Sequence, residues 1–143
     1  MSQELVQEIQ SDGWKPRDLP GFISKAGPLW ARREGDNWVY GFLVDASHMN
    51  SAGVLHGGAV MTLMDQAIST VAWEASGRQP CVTLQLDTHF LAGVREGQFA
   101  EARATVSHRT RGLIFMNGQI TVDEKPVATA LAIMKVLASP KEA

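Results

Sequence analysis

A chain of 143 residues, 45% hydrophobic and 20% charged, has room for one domain with a real core and lacks the bias of a disordered segment. Its net charge of −2 offers no basic surface for nucleic acid. The single cysteine, Cys81, excludes an intrachain disulfide and a cysteine-based metal site, and fits the role of a small buried hydrophobe.

Met1 to Gln10 is polar and acidic and has no apolar stretch of the signal-peptide kind, and no later run is long enough to span a bilayer. The expected location is the cytoplasm, with no membrane partner. Ser2 to Ser11 reads as an amphipathic helix with Leu5, Val6 and Ile9 on one side and Asp12-Gly13 as its stop. Trp14 to Pro28, punctuated by Pro16, Pro20, Gly21 and Gly27, predicts an irregular wrap pinned by Trp14 and Phe22. Residues 1–28 are therefore the N-terminal helix and wrap of a single domain, 1–143. Leu29 to Arg33 and Trp38 to Val44 predict two strands joined at Glu34-Gly35-Asp36-Asn37.

The next stretch, Asn50-Ser51-Ala52-Gly53-Val54-Leu55-His56-Gly57-Gly58, is polar and glycine-rich and opens a helix running to about Ala75. Val60, Met61, Leu63, Met64, Ala67, Ile68, Val71 and Ala72 make that helix apolar over most of its surface, as a buried helix requires. Thr62, Asp65, Gln66 and Ser69 fall at i, i+3, i+4 and i+7, one narrow polar stripe. Such stripes are commonly solvated. No Lys, Arg or Glu lies between His56 and Trp73, however, so a seam lining a cleft or subunit interface fits better. Asp65 in particular is costly to bury unless something pairs with it.

Ser76-Gly77 ends the helix, and a strand series follows: Cys81 to Leu91, Phe99 to Arg109, Leu113 to Val122 and Val127 to Leu137. In the first, Val82, Leu84 and Leu86 alternate with Thr83, Gln85 and Asp87. The last has helix-favouring residues but continues the meander, and is apolar enough for burial on both faces. Turns fall at Gly93 to Gly97, Arg111-Gly112 and Asp123-Glu124-Lys125-Pro126. The order, two strands, a long helix and four strands, is an α+β layer with one antiparallel sheet curled around one helix.

Backbone N–H groups at Gly57 and Gly58 would sit at a helix N-terminus, where they polarise a carbonyl and stabilise an oxyanion. Asp65 would serve as general base on water or as nucleophile. The Asn50 amide could hold a carbonyl or a water, and Ser69, one turn on, could orient the Asp65 carboxylate. This set suits hydrolysis of an activated acyl compound. Eight residues separate Gly57 from Asp65, roughly 12 Å of helix, too far for one carbonyl to meet both. An antiparallel helix from a second copy would close the gap twice in a two-fold dimer.

The pattern Asn50-x-x-Gly53-x-x-His56-Gly57-Gly58 followed by Asp65 resembles the hot-dog-fold acyl-CoA thioesterases of the phenylacetate-pathway (PaaI-like) group. It is similar also to the Arthrobacter-type para-hydroxybenzoyl-CoA thioesterases. The likeness covers roughly Phe22 to Leu137. It implies a curved antiparallel sheet wrapped around one long central helix, a two-fold homodimer, and often a homotetramer. By position it implies Gly57 as the oxyanion N–H and Asp65 as the catalytic acid, Asn50 against thioester or water, and Ser69 as the hydroxyl after the acid. His56 matches the motif histidine, whose part is more structural than catalytic. Relatives also carry Glu where this chain has Asp65, so base and nucleophile both stay open.

The expected activity is therefore acyl-CoA hydrolysis to free acid and coenzyme A, coenzyme A being part of the substrate and no cofactor being needed. Gly58, His56, Thr62 and Gln66 are expected beside the substrate. Arg109 and Arg111 are candidates for the coenzyme A phosphates, with a solvated turn as the competing reading. Trp73, Phe90 and Met64 are acyl-pocket candidates that could equally be core. His48, His56, His89 and His108 share no ligand spacing, so no metal is expected. The rivals are a hot-dog hydratase or dehydratase, which needs a histidine beside the acid, and a non-catalytic acyl-CoA-binding module.

Overall fold

The alternation of the first two long strands divides their side chains between two layers. The computed structural model of the chain, which describes residues 3–138, places Leu29, Ala31, Tyr40 and Phe42 in the main core. Trp30, Val39 and Leu43 point the other way and meet Ile9 and Trp14 in a second, smaller cluster. Helix α1 (Gln3–Ser11) closes that outer cluster; the Ser2 end of the expected helix lies outside the described residues. Strands β2 (Leu29–Glu34) and β3 (Asn37–Leu43) are joined by a two-residue turn in which Gly35 takes φ +59°. That left-handed conformation suits a tight hairpin.

Helix α2 (Gly57–Ala75) follows, then β4 (Cys81–Phe90), β5 (Phe99–Arg109), β6 (Leu113–Val122) and β7 (Lys125–Val136). One short strand was not expected: β1 (Lys15–Arg17) lies inside the predicted wrap and pairs with β2. The described strands form one antiparallel sheet in the order β1-β2-β3-β5-β6-β7-β4. Helix α2 packs against β3, β5, β6, β7 and β4. Five adjacent strands span roughly 19 Å, while a helix is about 10–12 Å across, so only a curled sheet can reach it from both sides. This is the hot-dog arrangement. No helix among the described residues is long and apolar enough to cross a membrane.

The aromatic pins of the wrap divide. Trp14 is buried, edge-on to Phe99 at 4.9 Å between ring centres and faced by the Arg32 guanidinium. Phe22 instead stands 73% exposed on a 3-10 turn, Phe22–Lys25. Strand β7 is not buried on both faces, since Leu131 points outward and is exposed. The regular alternation expected of β4 is interrupted as well. Its register with β7 jumps between Thr83 and Gln85, making Leu84 a bulge. The extra residue reverses the facing, so that Thr83 before it and Leu86 after it both meet α2.

Near the β2 end of the sheet, Arg103 grips Glu34 through two parallel hydrogen bonds of 2.8 and 2.7 Å, and Arg32 adds a third at 2.5 Å. The Arg103 bonds, opposed by partial burial and helped by Arg32, hold the Glu34 carboxyl down at about 2.

Candidate active site

A 3-10 turn, Ala46–His48, is capped by Asp45, whose carboxylate accepts from the backbone N–H and the hydroxyl of Ser47. The hydroxyl bond holds the Asp45 carboxyl below the usual range. The chain then closes on itself at Asn50. Its side-chain Oδ1 accepts from the N–H groups of Ala52 (2.9 Å) and Val54 (3.2 Å), and its own N–H donates to the Val54 carbonyl (2.8 Å). Two N–H donors aimed at one atom fix the amide orientation. The Asn50 carbonyl group is therefore committed to the loop, and its NH₂ is the part left for a ligand.

His56 caps α2. Its Nδ1 accepts from the Gly58 N–H at 2.8 Å, and its carbonyl accepts from Ala59 and Val60. This corrects the expectation for Gly58: its N–H is taken by the His56 ring and is not offered to substrate. A Cβ at Gly58 would sit 3.1 Å from that Nδ1, so the second glycine makes room for the cap. The Gly57 N–H has no acceptor among the described residues. Gly57 lines a cleft of about 450 Å³ with Asn50, Val60 and Phe90 among its other walls.

Asp65 lies two turns on, in a different cleft of about 480 Å³ lined by Phe22, Ile23, Met61, Thr62, Gln66 and Leu86. No residue lines both clefts. The carboxylate is half-buried, and its Oδ1 accepts a 2.6 Å hydrogen bond from the Thr83 hydroxyl on β4. Thr83, rather than Ser69, is thus the group that orients it; Ser69 is half-buried on α2 without a bond to the carboxylate. Thr62 returns its hydroxyl to the Gly58 carbonyl (2.8 Å), and the Gln66 amide reaches Thr70 (3.3 Å). Both still border the Asp65 cleft.

The basic candidates are elsewhere. Arg109 donates to the Ala75 carbonyl at the C-terminal end of α2, roughly 27 Å along the helix from Gly57. It caps the helix. Arg111 is exposed at the β5–β6 turn and has no ion pair among the described residues. Of the apolar candidates, Met64 is fully buried core, and Trp73 is near the far end of α2 under Arg78, while Phe90 does line the Gly57 cleft. A larger cavity of about 660 Å³ opens on the outer face of the sheet, between Asp87, His89, Arg103 and Leu131. No α2 residue lines it, so it contains neither Gly57 nor Asp65.

A family profile described as the thioesterase superfamily matches residues 52–129, a span that contains the His56 cap, the Gly57 N–H, Asp65 and Thr83. The chain belongs to the thioesterase superfamily. A Pseudomonas aeruginosa protein provisionally named an esterase is 27% identical over 126 residues, covering 85% of this chain and 93% of that one. Among solved structures, zebra fish thioesterase superfamily member 2 superposes with a TM-score of 0.74 at 22% identity, over 96% of this chain and 99% of that one. An aspartate-to-alanine variant of a hypothetical thioesterase from Streptococcus pneumoniae gives a TM-score of 0.68 at 25% identity, over 76% and 89%. A hypothetical thioesterase from Streptococcus pneumoniae with coenzyme A gives 0.67 at 24% identity, over 78% and 87%.

Within this thioesterase-superfamily chain, Thr83 and Leu86 are among the candidate-site residues that the sequence did not disclose. A strict two-residue period puts Thr83 and Leu86 on opposite faces of β4, and the bulge that brings them together carries no glycine or proline to announce it.

Proposed function

We propose that this chain is an acyl-CoA thioesterase, in the PaaI-like group, whose two active sites form between the subunits of a homodimer. The observation that carries the reading is the split: an unengaged N–H at Gly57 and an oriented carboxylate at Asp65, in separate clefts of one protomer. Neither half suffices alone, since the N–H group stabilises an oxyanion and the carboxylate activates the attacking group.

Strand β4 supplies the means of joining them. Among the described residues it is the last strand of the sheet, with no strand on its outer edge, and it exposes Leu84 and Phe90. An unpaired edge of that kind invites a second strand. Antiparallel pairing of β4 with its symmetry mate continues the sheet and lays the two α2 helices side by side. One protomer's Gly57 then faces the other's Asp65. The exposed Leu131 and Val106 leave further apolar surface for a tetramer.

The ligand class follows from chemistry and kinship. A thioester carbonyl develops negative charge on oxygen as water attacks, and the Gly57 N–H receives it. Asp65 accepts the proton of that water, the Asn50 NH₂ positions the water or the thioester oxygen, and the C–S bond breaks. The coenzyme A thiolate leaves and takes up a proton. A related protein in the same fold holds coenzyme A, and one from Streptococcus mutans, TM-score 0.62 at 24% identity, holds acetyl-CoA. The alternative of direct attack by Asp65 passes through a mixed anhydride; its hydrolysis at the Asp65 Cγ would leave label in the Asp65 carboxylate after single turnover in ¹⁸O-water, whereas general-base attack puts label only in the product acid.

The test is thiol release from acyl-CoA by the wild type and by Asp65→Asn. Turnover should fall at least about a hundredfold in the variant while the thermal melt is preserved. Full activity in the variant, or a strictly monomeric wild type by sedimentation at assay concentration, would overturn the reading.

A further inference from the structure

Phe22 is the most exposed of the large hydrophobic side chains described, at 73%, and it stands on the rim of the Asp65 cleft beside Ile23, Met61 and Leu86. Its turn is not slack. Gly21 enters at φ +89°, and its carbonyl accepts from both the N–H (3.2 Å) and the hydroxyl (2.7 Å) of Ser24. Ile23 packs on the main core and its carbonyl accepts from Ala26. The Ala26 carbonyl in turn accepts from His48 Nε2 at 2.6 Å.

His48 is buried and stacked on Phe42, and its Nδ1 accepts from the Asp45 N–H at 3.1 Å. Both ring nitrogens are thereby used, which fixes the tautomer with its proton on Nε2. The His48 carbonyl also accepts from the N–H of His56, the residue that caps α2. One buried histidine therefore fastens the turn bearing Phe22 to the loop that sets up Gly57. Gly27, at φ +93°, is required there, because a Cβ would lie 2.6 Å from the His48 ring. An aromatic ring held outward on a braced turn, above a half-buried carboxylate, is placed to meet a ligand.

We infer that Phe22 is a specificity-determining residue: with Met61 and Leu86 it forms an apolar trough that receives the acyl group and favours longer apolar acyl chains over acetyl. The inference rests on the thioesterase reading above. Flat ring, thioether and branched aliphatic side chains make adaptable contacts with an apolar chain and offer an acetyl group almost nothing to grip.

The experiment compares hexanoyl-CoA with acetyl-CoA in the wild type, Phe22→Ala and Phe22→Leu. The wild type should prefer hexanoyl-CoA in kcat/KM, and Phe22→Ala should reduce that preference about tenfold, with the loss falling mainly on hexanoyl-CoA. Phe22→Leu should restore most of it. Because the ring is exposed, the melting temperature of Phe22→Ala should match the wild type. An unchanged preference, or equal loss with both substrates, overturns the inference. So does a fall in oligomer mass of Phe22→Ala on sedimentation, which would make Phe22 a subunit contact. If the wild type releases thiol from neither substrate, the thioesterase reading fails separately. The trough is then judged by calorimetric Kd values for hexanoyl-CoA and free coenzyme A: a ratio that Phe22→Ala leaves unmoved sinks it, and a ratio that collapses supports it.

Discussion

Replacing Gly57 with proline removes one hydrogen-bond donor and little else. The first helical position tolerates proline, because its N–H has no partner inside the helix in any case. His56 already has φ −59° and ψ 136°, the extended conformation that a following proline demands. A Cβ at position 57 would lie 3.6 Å from the Phe90 ring, an ordinary contact. The Gly57 N–H has no acceptor among the described residues, so no internal bond is lost. The melting temperature of Gly57→Pro should therefore stay within about 3 °C of the wild type. Loss of one oxyanion donor is worth about 2.7–4 kcal/mol, so kcat should fall roughly 10²- to 10³-fold in a thiol-release assay, with KM little changed. Mixing Gly57→Pro with Asp65→Asn protomers, after unfolding and joint refolding, adds a sharper readout. Half of the dimers would then be mixed, each with one intact site of two, and about a quarter of wild-type activity should return. Two inactive parents yielding an inactive mixture would refute the shared site. A fully active Gly57→Pro would refute the oxyanion assignment.

The remaining expectations concern the Asp65 carboxylate and the stability of the sheet around α2. Thr83→Val deletes the hydroxyl that binds Asp65 at 2.6 Å; a bond to a carboxylate is worth about 1.5–3 kcal/mol, so kcat should drop roughly 10- to 150-fold, and Thr83→Ser should recover it. Equal activity in Thr83→Val would show that the carboxylate needs no such partner. The Glu34 carboxyl, held at about 2 by Arg103 and Arg32, sits below its unfolded value near 4.5. Its contribution is therefore present above about pH 4.5 and lost as pH falls toward 2. Denaturant melts of wild type and Glu34→Gln should differ by about 1 kcal/mol at pH 7, a figure reduced for the solvent exposure of the pair, and converge near pH 2. A gap that does not close on acidification would contradict the linkage. Gly118→Ala places a Cβ 2.7 Å from Met64 Sδ and 2.9 Å from Ile68 Cδ1, where α2 meets the sheet. A loss of about 1–3 kcal/mol should appear by calorimetry; an unchanged melt would mean that the two side chains swing aside freely.

Much of this was legible from residue order, where period and punctuation agree. The apolar surface of α2 between His56-Gly57-Gly58 and Ser76-Gly77 gave the helix its observed bounds, Gly57–Ala75. The turns at Gly93 to Gly97, Arg111-Gly112 and Asp123 to Pro126 bounded β5 and β6 to the residue. What escaped was set by contacts far apart in sequence. Nothing local distinguishes Phe22 from Trp14 as a pin; the difference is that Trp14 finds Arg32 and Phe99 across the sheet. Gly57 and Gly58 look alike as adjacent glycines, yet the His56 ring occupies one N–H and leaves the other. Arg109 reads as a mobile turn cation until β5 carries it to the end of α2. The spacing argument that Gly57 and Asp65 cannot share a carbonyl within one chain agrees with their lying in two clefts.

The place of β4 in the sheet also bears on when the protein becomes complete. Although β4 emerges directly after α2, its described strand partner is β7, whose paired residues lie at least 38 positions later in the chain. During synthesis the helix and its aspartate exist well before β7, the strand that pairs with the segment carrying Thr83. Closing so long a loop is slow compared with forming the local hairpins β2–β3 and β6–β7. The Asp65 carboxylate thus gains its Thr83 partner in a paired strand only after β7 has been made and has docked.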